Sequence, residues 1–265
     1  MTKLKALIFD VDGTMAETER DGHRLSFNRA FADAGLDWYW DETLYGDLLA
    51  VAGGKERIRF FIHQYAPYFP GTDCVPGKSD TPVNLPYFIA QLYATKTGYY
   101  QRLLRDGKIP LRPGIRRLIL EARRHGIRLA IATTSAPENA IALLQSTLGP
   151  DSPRWFEIIA GGDIVPKKKP APDIYHYVLR QMWLKPEQCL VFEDTAHGLS
   201  AATHADLKTV ITVHDYSCDQ DFATAALVLN HLGEPEQPFE AIAGFSSGAA
   251  YFDLALAKRL LGATE

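Results

Sequence analysis

The stretch Leu4-Lys5-Ala6-Leu7-Ile8-Phe9-Asp10-Val11-Asp12-Gly13-Thr14 decides how this chain is read. Its apolar run, residues 4–9, stops abruptly at two acids and a glycine. A short run without polar alternation suits a strand buried on both faces, as in a parallel sheet. Similar runs recur at 128–132, 157–160, 188–192, 208–213 and 226–229. Helix-like segments lie between them. In 113–125, Ile115, Leu118, Ile119 and Ala122 form one stripe, with Pro113 at the start and Gly126 at the stop. Its arginines fall mostly outside the stripe and read as a solvated face. From about residue 110 onward the alternation predicts an α/β fold, a doubly wound parallel sheet in a Rossmann-like three-layer core.

Residues 17–106 read differently. Phe27, Ala30, Phe31 and Ala34 have helical spacing before Gly35, and Ile89, Leu92, Tyr93, Tyr100, Leu103 and Leu104 follow in a second helical register. A Pro/Gly-rich loop (Pro67, Pro70, Gly71, Pro76, Gly77, Pro82, Pro86) separates them, without a strand-like run. The expected organisation is a core of 1–16 and 107–265 interrupted by a helical block, with 248–261 forming a last helix on the core.

Composition narrows the classes of function. Of 265 residues 46% are hydrophobic and 23% charged, enough to bury a core. A net charge of −4 gives no reason to expect nucleic acid or an anionic membrane as partner, while leaving a small anionic substrate open. Cys74, Cys189 and Cys218 lie far apart without CxxC spacing and read as reduced thiols. Neither a signal-like segment nor a membrane-length apolar stretch is seen, so a cytoplasmic location is the expectation.

Open α/β sheets bind ligands at the carboxyl ends of their strands. After the first strand, Asp10 and Asp12 with Gly13 suit a plain turn. They also suit a nucleophile toward phosphorus and a general acid/base. After the second come Thr133, Thr134 and Ser135, where one hydroxyl is expected as a helix cap and the group could also meet phosphate oxygens. Lys169 stands at the end of a lysine run, directly before a stiff Pro-x-Pro turn, placed to act as a point charge on phosphate; Lys167 and Lys168 read as surface. A further strand ends in Glu193-Asp194, suited with Asp10 and a backbone carbonyl at Asp12 to a sparse Mg²⁺ shell. Each signal alone is modest. Their coincidence on consecutive strand ends predicts phosphoryl transfer.

The segments DVDGT (10–14), TTS (133–135), KKPAPD (168–173) and FEDT (192–195) resemble the four motifs of the haloacid dehalogenase-like hydrolase superfamily, and the helical block resembles its α-helical cap. The resemblance implies Asp10 as nucleophile, Asp12 as general acid/base and Thr133 on the phosphoryl group with help from the Thr134 amide. It also implies Lys169 as charge balance and Asp194 with Glu193 at Mg²⁺. The segments at 16–28, 44–58 and 163–175 are similar to the CbbY proteins, found with Calvin-cycle genes and associated with xylulose-1,5-bisphosphate phosphatase activity. That resemblance implies substrate contacts from Glu17, His23, Tyr45, Gly54, Lys55 and Arg57, besides Thr134 and Ser135.

From the residues alone, Gly53-Gly54-Lys55 reads first as a loop with solvated charges and second as a place where backbone and cations could meet a second phosphate, and His23 reads as a helix-surface histidine. The expected protein is a monomeric phosphatase acting on a small phosphorylated sugar. Two alternatives stay open: a phosphomutase, which uses the same Asp10/Asp12 pair, and a non-catalytic phosphosugar-binding protein, against which the intact acids speak.

Overall fold

The computed structural model describes residues 4–51, 53–66, 69, 84–244, 246 and 248–262. Most of the Pro/Gly-rich loop, and Cys74, lie outside the described residues. Internal contacts divide the chain into two units, 1–18 with 104–265, and 19–103, where the sequence placed the boundaries at 16/17 and 106/107.

Strand β1 (Ala6–Phe9) starts the first unit. In the second, a wide helical turn (Glu19–Arg24) runs into α1 (Leu25–Asp33), followed by α2 (Glu42–Leu48), α3 (Gly54–Tyr65) and α4 (Leu85–Arg105). Asp41 caps α2, its carboxylate accepting from the Leu44 N–H at 2.8 Å. Aromatic rings build this unit's core: Trp40 lies 4.7 Å from Phe27, 4.8 Å from Phe31 and 5.4 Å from Phe61, between centroids. The helical spacing of Phe27, Ala30 and Phe31 is what buries that stripe of α1.

Back in the first unit come α5 (Ile115–Arg124), β2 (Arg128–Ala132), α6 (Pro137–Leu148), β3 (Ile158–Ala160), α7 (Asp173–Met182), β4 (Cys189–Glu193), α8 (Ala196–Thr203), β5 (Lys208–Thr212), β6 (Leu227–Leu229), β7 (Ala241–Gly244) and α9 (Leu254–Leu260). The strands form one sheet in the order β3-β2-β1-β4-β5-β6-β7, parallel throughout except for the antiparallel β6–β7 pair. Alternation along β1 sends Ala6 and Ile8 into a cluster with Tyr175, Val178 and Met182 of α7 and Ala201 and Ala202 of α8. Phe9 stacks at 4.7 Å on Phe192, which meets Phe252 edge-on at 5.2 Å. The fold is therefore the doubly wound α/β core with an inserted helical unit.

Two expectations are corrected. The last helix begins at Leu254, not near Gly248, because Asp253 caps it with a carboxylate on the Leu256 N–H at 2.7 Å. The sheet also has a further strand, β7, exposed along its length and so without a buried-strand pattern. Among the described residues no helix is long and apolar enough to cross a membrane.

Strand order has a functional consequence. The chain leaves β1 toward β2 and β3 on one side, then crosses to β4 on the other. The reversal point lies at the carboxyl end of β1, where adjacent connections part and leave a crevice.

Candidate active site

Three strand ends meet at that crevice. Asp10 follows β1, Thr133 follows β2, and β4 ends in Glu193 with Asp194 next. All four are buried. Polar residues tolerate such a place only when partnered. Lys169, in the connection from β3 to α7, is the central partner. Its ammonium donates to Asp10 Oδ1 at 2.6 Å and to the Ala132 carbonyl at 2.8 Å, and lies 2.6 Å from Glu193 Oε1. The Tyr175 hydroxyl of α7 donates to the same Glu193 oxygen. Gly198 leaves room for that carboxylate, since a Cβ there would lie 1.9 Å from Glu193 Oε2.

Oxygen atoms of Asp10, Glu193 and Asp194 lie within 4.8 Å of one another. Lys169 pairs with two of the three carboxylates, Asp10 and Glu193, so the trio when ionised carries two more negative charges than that one ammonium offsets. Burial pushes the Asp10 carboxyl well up; Lys169 pulls it back, and the neighbouring acids raise it again. Burial likewise raises Glu193. Burial alone would lower the Lys169 ammonium, but Asp10 and Glu193 hold it above its ordinary value. The cluster therefore holds on to protons or takes up a cation. Hard oxygen donors with an excess of two negative charges fit Mg²⁺.

Asp194 is gripped from both sides. Thr14 Oγ1 donates to its Oδ1 at 3.0 Å, and His214 Nε2 lies 2.8 Å from its Oδ2. Burial would lower the His214 pKa, yet the bond to Asp194 raises it on balance. Gly13, at φ +85°, passes so close that a Cβ would meet Asp194 Oδ2 at 2.2 Å.

The Asp12 carboxylate lies outside the trio. Thr18 Oγ1 donates to its Oδ1 at 2.6 Å and Ser135 Oγ to its Oδ2. Thr133 is buried with its Oγ1 accepting the Ser135 N–H at 3.1 Å, while Thr134 is exposed. Glu17 pairs with Arg112, Oε1 to Nε at 3.1 Å. The same guanidinium donates to four carbonyls: Gly13, Thr212 at 3.0 Å, Val213 at 2.5 Å and Asn230 at 2.6 Å. It thus ties the loop after β1 to the ends of β5 and β6.

The other sequence candidates lie in the helical unit. His23 Nδ1 takes a hydrogen bond from the buried Lys96 ammonium at 2.7 Å. Tyr45 is buried, its hydroxyl donating to Glu19 Oε2 at 2.5 Å. Arg57, also buried, donates to the Leu48 carbonyl at 3.0 Å and the Tyr45 hydroxyl at 3.1 Å, fastening α2 to α3. Gly54 has a packing reason, since a Cβ would meet the Tyr93 ring at 2.3 Å. Lys55 is exposed, its ammonium 5.7 Å from the Tyr93 ring centroid.

Sequence reasoning passed over His214, Arg112, Tyr175, Thr14 and Thr18. His214 stands just beyond β5, so the strand-end rule could have found it. Arg112 and Tyr175 offer no such signal, since their partners are distant in sequence.

A family model described as haloacid dehalogenase-like hydrolase matches residues 4–206. Protein CbbY of Cupriavidus necator is 45% identical over 235 residues, covering 89% of this chain and 88% of its own. Protein CbbY of Cereibacter sphaeroides is 43% identical over 232 residues, 87% of this chain and 94% of its own. A solved structure of a mutant CbbY from Rhodobacter sphaeroides, in complex with xylulose-(1,5)bisphosphate, matches with a TM-score of 0.73 and 40% identity, covering 86% of this chain and 94% of that one.

Proposed function

The chain belongs to the haloacid dehalogenase-like hydrolase family and its CbbY group, and from that premise we propose a Mg²⁺-dependent phosphatase that hydrolyses a small sugar bisphosphate, xylulose 1,5-bisphosphate first, through an aspartyl-phosphate on Asp10. The observation that carries this reading is the buried trio of Asp10, Glu193 and Asp194 at the crevice, with Lys169 on the first two.

In the first half, an Asp10 oxygen forms a bond to phosphorus and the bond to the ester oxygen breaks. Asp12 gives that leaving oxygen its proton. In the second half Asp12 takes a proton from water, whose oxygen attacks phosphorus and releases Asp10 and inorganic phosphate. Thr18 and Ser135 orient Asp12 for both proton transfers. Lys169 holds Asp10 in place and offsets its charge. When bound, Mg²⁺ would offset charge on phosphoryl oxygens approaching an acidic nucleophile. Glu193 and Asp194 would hold it with Asp10 and the Asp12 carbonyl.

The test is phosphate release from a panel of phosphorylated sugars that includes xylulose 1,5-bisphosphate, with and without Mg²⁺, for wild type and Asp10→Asn. Wild type is expected to turn over only with Mg²⁺, and Asp10→Asn not at all. Equal rates for the two proteins rule out Asp10 as nucleophile, and an isomerised sugar without net phosphate release rules out hydrolysis. Substrate recognition by Glu17, His23, Tyr45, Gly54, Lys55 and Arg57 belongs to the same proposal. Its kinetic test is Lys55→Ala, expected to raise KM for a bisphosphate more than for a monophosphate; equal effects remove Lys55 from it.

A further inference from the structure

His214 sits in the connection after β5 with both ring nitrogens engaged. Its Nδ1 accepts the backbone N–H of Tyr216 at 3.3 Å, and its Nε2 lies 2.8 Å from Asp194 Oδ2. A neutral imidazole that accepts at one nitrogen carries its proton on the other, so Nε2–H is the donor to Asp194. The main chain around it is closed on itself. The His214 N–H donates to Ser217 Oγ at 3.1 Å, and the His214 carbonyl accepts from the N–H groups of Ser217 at 2.9 Å and Cys218 at 3.1 Å. The imidazole is therefore held by backbone on one side and points a single donor at the acid.

Asp194 meets that donor already held by Thr14 at its other oxygen. A carboxylate fixed at both oxygens keeps one plane, and each oxygen still has lone-pair capacity for a cation. Gly13 adds an independent sign that this space is reserved. A side chain there would overlap both members of the pair, its Cβ lying 2.2 Å from Asp194 Oδ2 and 2.8 Å from His214 Nε2.

We infer that His214 is a positioning residue for the Mg²⁺ carboxylate Asp194: it presets the acid's orientation before the cation arrives, so that binding does not have to order it. The inference rests on the proposed function. Partners that orient a metal ligand characteristically contribute ten- to hundred-fold to metal affinity.

The experiment is calorimetric titration of the full chain with Mg²⁺ alone, for wild type, His214→Phe and His214→Gln, beside thermal unfolding of each metal-free protein. Phe keeps a planar ring and removes the donor; Gln restores an N–H at similar reach. The expected result is Mg²⁺ binding weakened about ten-fold or more by Phe and by less than about three-fold by Gln. If Phe does not fold, His214→Ala takes its place. A folded donor-free variant with wild-type Mg²⁺ affinity overturns the inference, whatever its melting temperature, because a merely structural histidine would move only the melting temperature. Wild type that binds no Mg²⁺ overturns the proposed function itself, and the role of His214 with it.

Discussion

Adding a single methyl group at residue 198 is expected to dismantle the acidic trio. Ala is normally the better helix residue, by up to about 1 kcal/mol over Gly, so Gly198→Ala inside α8 would ordinarily stabilise. Here the Cβ would fall 1.9 Å from Glu193 Oε2, whereas real Cβ contacts do not come inside 3.0 Å, so at least 1.1 Å of movement is required (3.0 minus 1.9). Glu193 cannot yield cheaply. It is 1% exposed, and its Oε1 is held by Lys169 at 2.6 Å and by the Tyr175 hydroxyl. Losing the charged contact costs about 1.5–3 kcal/mol, and stranding a buried hydroxyl about 1–3 kcal/mol more. Against the helix gain the net is about 3 kcal/mol of destabilisation, or roughly 6–12 °C in Tm for a unit of this size. Urea unfolding of the metal-free protein measures it, and Mg²⁺ affinity should fall in parallel. The decisive control is a double-mutant cycle. In a Glu193→Ala background the clash has no partner, and Gly198→Ala should become neutral or stabilising. A single variant as stable as wild type, with unchanged Mg²⁺ affinity, would refute the placement of Glu193.

Three further outcomes are expected. Lys169→Met leaves the trio without its ammonium and should cost about 3–5 kcal/mol in the metal-free protein near neutral pH. Folded-state carboxyls already raised by burial rise further, so that loss should shrink as pH falls and they take up protons; identical urea midpoints at pH 7.5 and 5.5, relative to wild type, would contradict this. Arg112→Lys keeps the charge but not the fork that reaches four carbonyls, and should destabilise by about 3 kcal/mol or more in chemical denaturation; wild-type stability would show that charge alone suffices. At the surface, Arg128 lowers the Glu157 pKa through a hydrogen bond, so the pair's contribution is present above the ordinary carboxylate range and is lost as pH falls through the depressed value. Glu157→Gln should therefore cost no more than about 1 kcal/mol at neutral pH and nothing in strong acid, as read from urea midpoints across pH.

The inner strands could be read from sequence because β1, β2 and β4 are buried on both faces, which forces an unbroken apolar run. Strand β7 is the opposite case. Ala241–Gly244 is an exposed edge, held by pairing with β6, and pairing leaves little compositional trace. The start of α9 carried a signal, the Asp253 cap, that an apolar-stripe reading overlooks. In the site, Asp10, Thr133, Glu193 and Asp194 were legible because strand ends converge by topology alone. Arg112 and Tyr175 were not. A lone arginine before a proline, or a tyrosine in a helical stripe, gives no sign of partners brought near only by folding.

Arg112 also bears on how this sequence can drift. The groups it bonds at Gly13, Thr212, Val213 and Asn230 are main-chain oxygens, which every amino acid supplies alike. Substitutions at residues 212, 213 and 230 can therefore accumulate without removing the acceptors. The tie between the loop after β1 and the far half of the sheet is vulnerable at the single codon for residue 112. Constraint is concentrated in one donor and dispersed among its acceptors, so a relative could differ at all three of those acceptor positions and still close the loop in the same way.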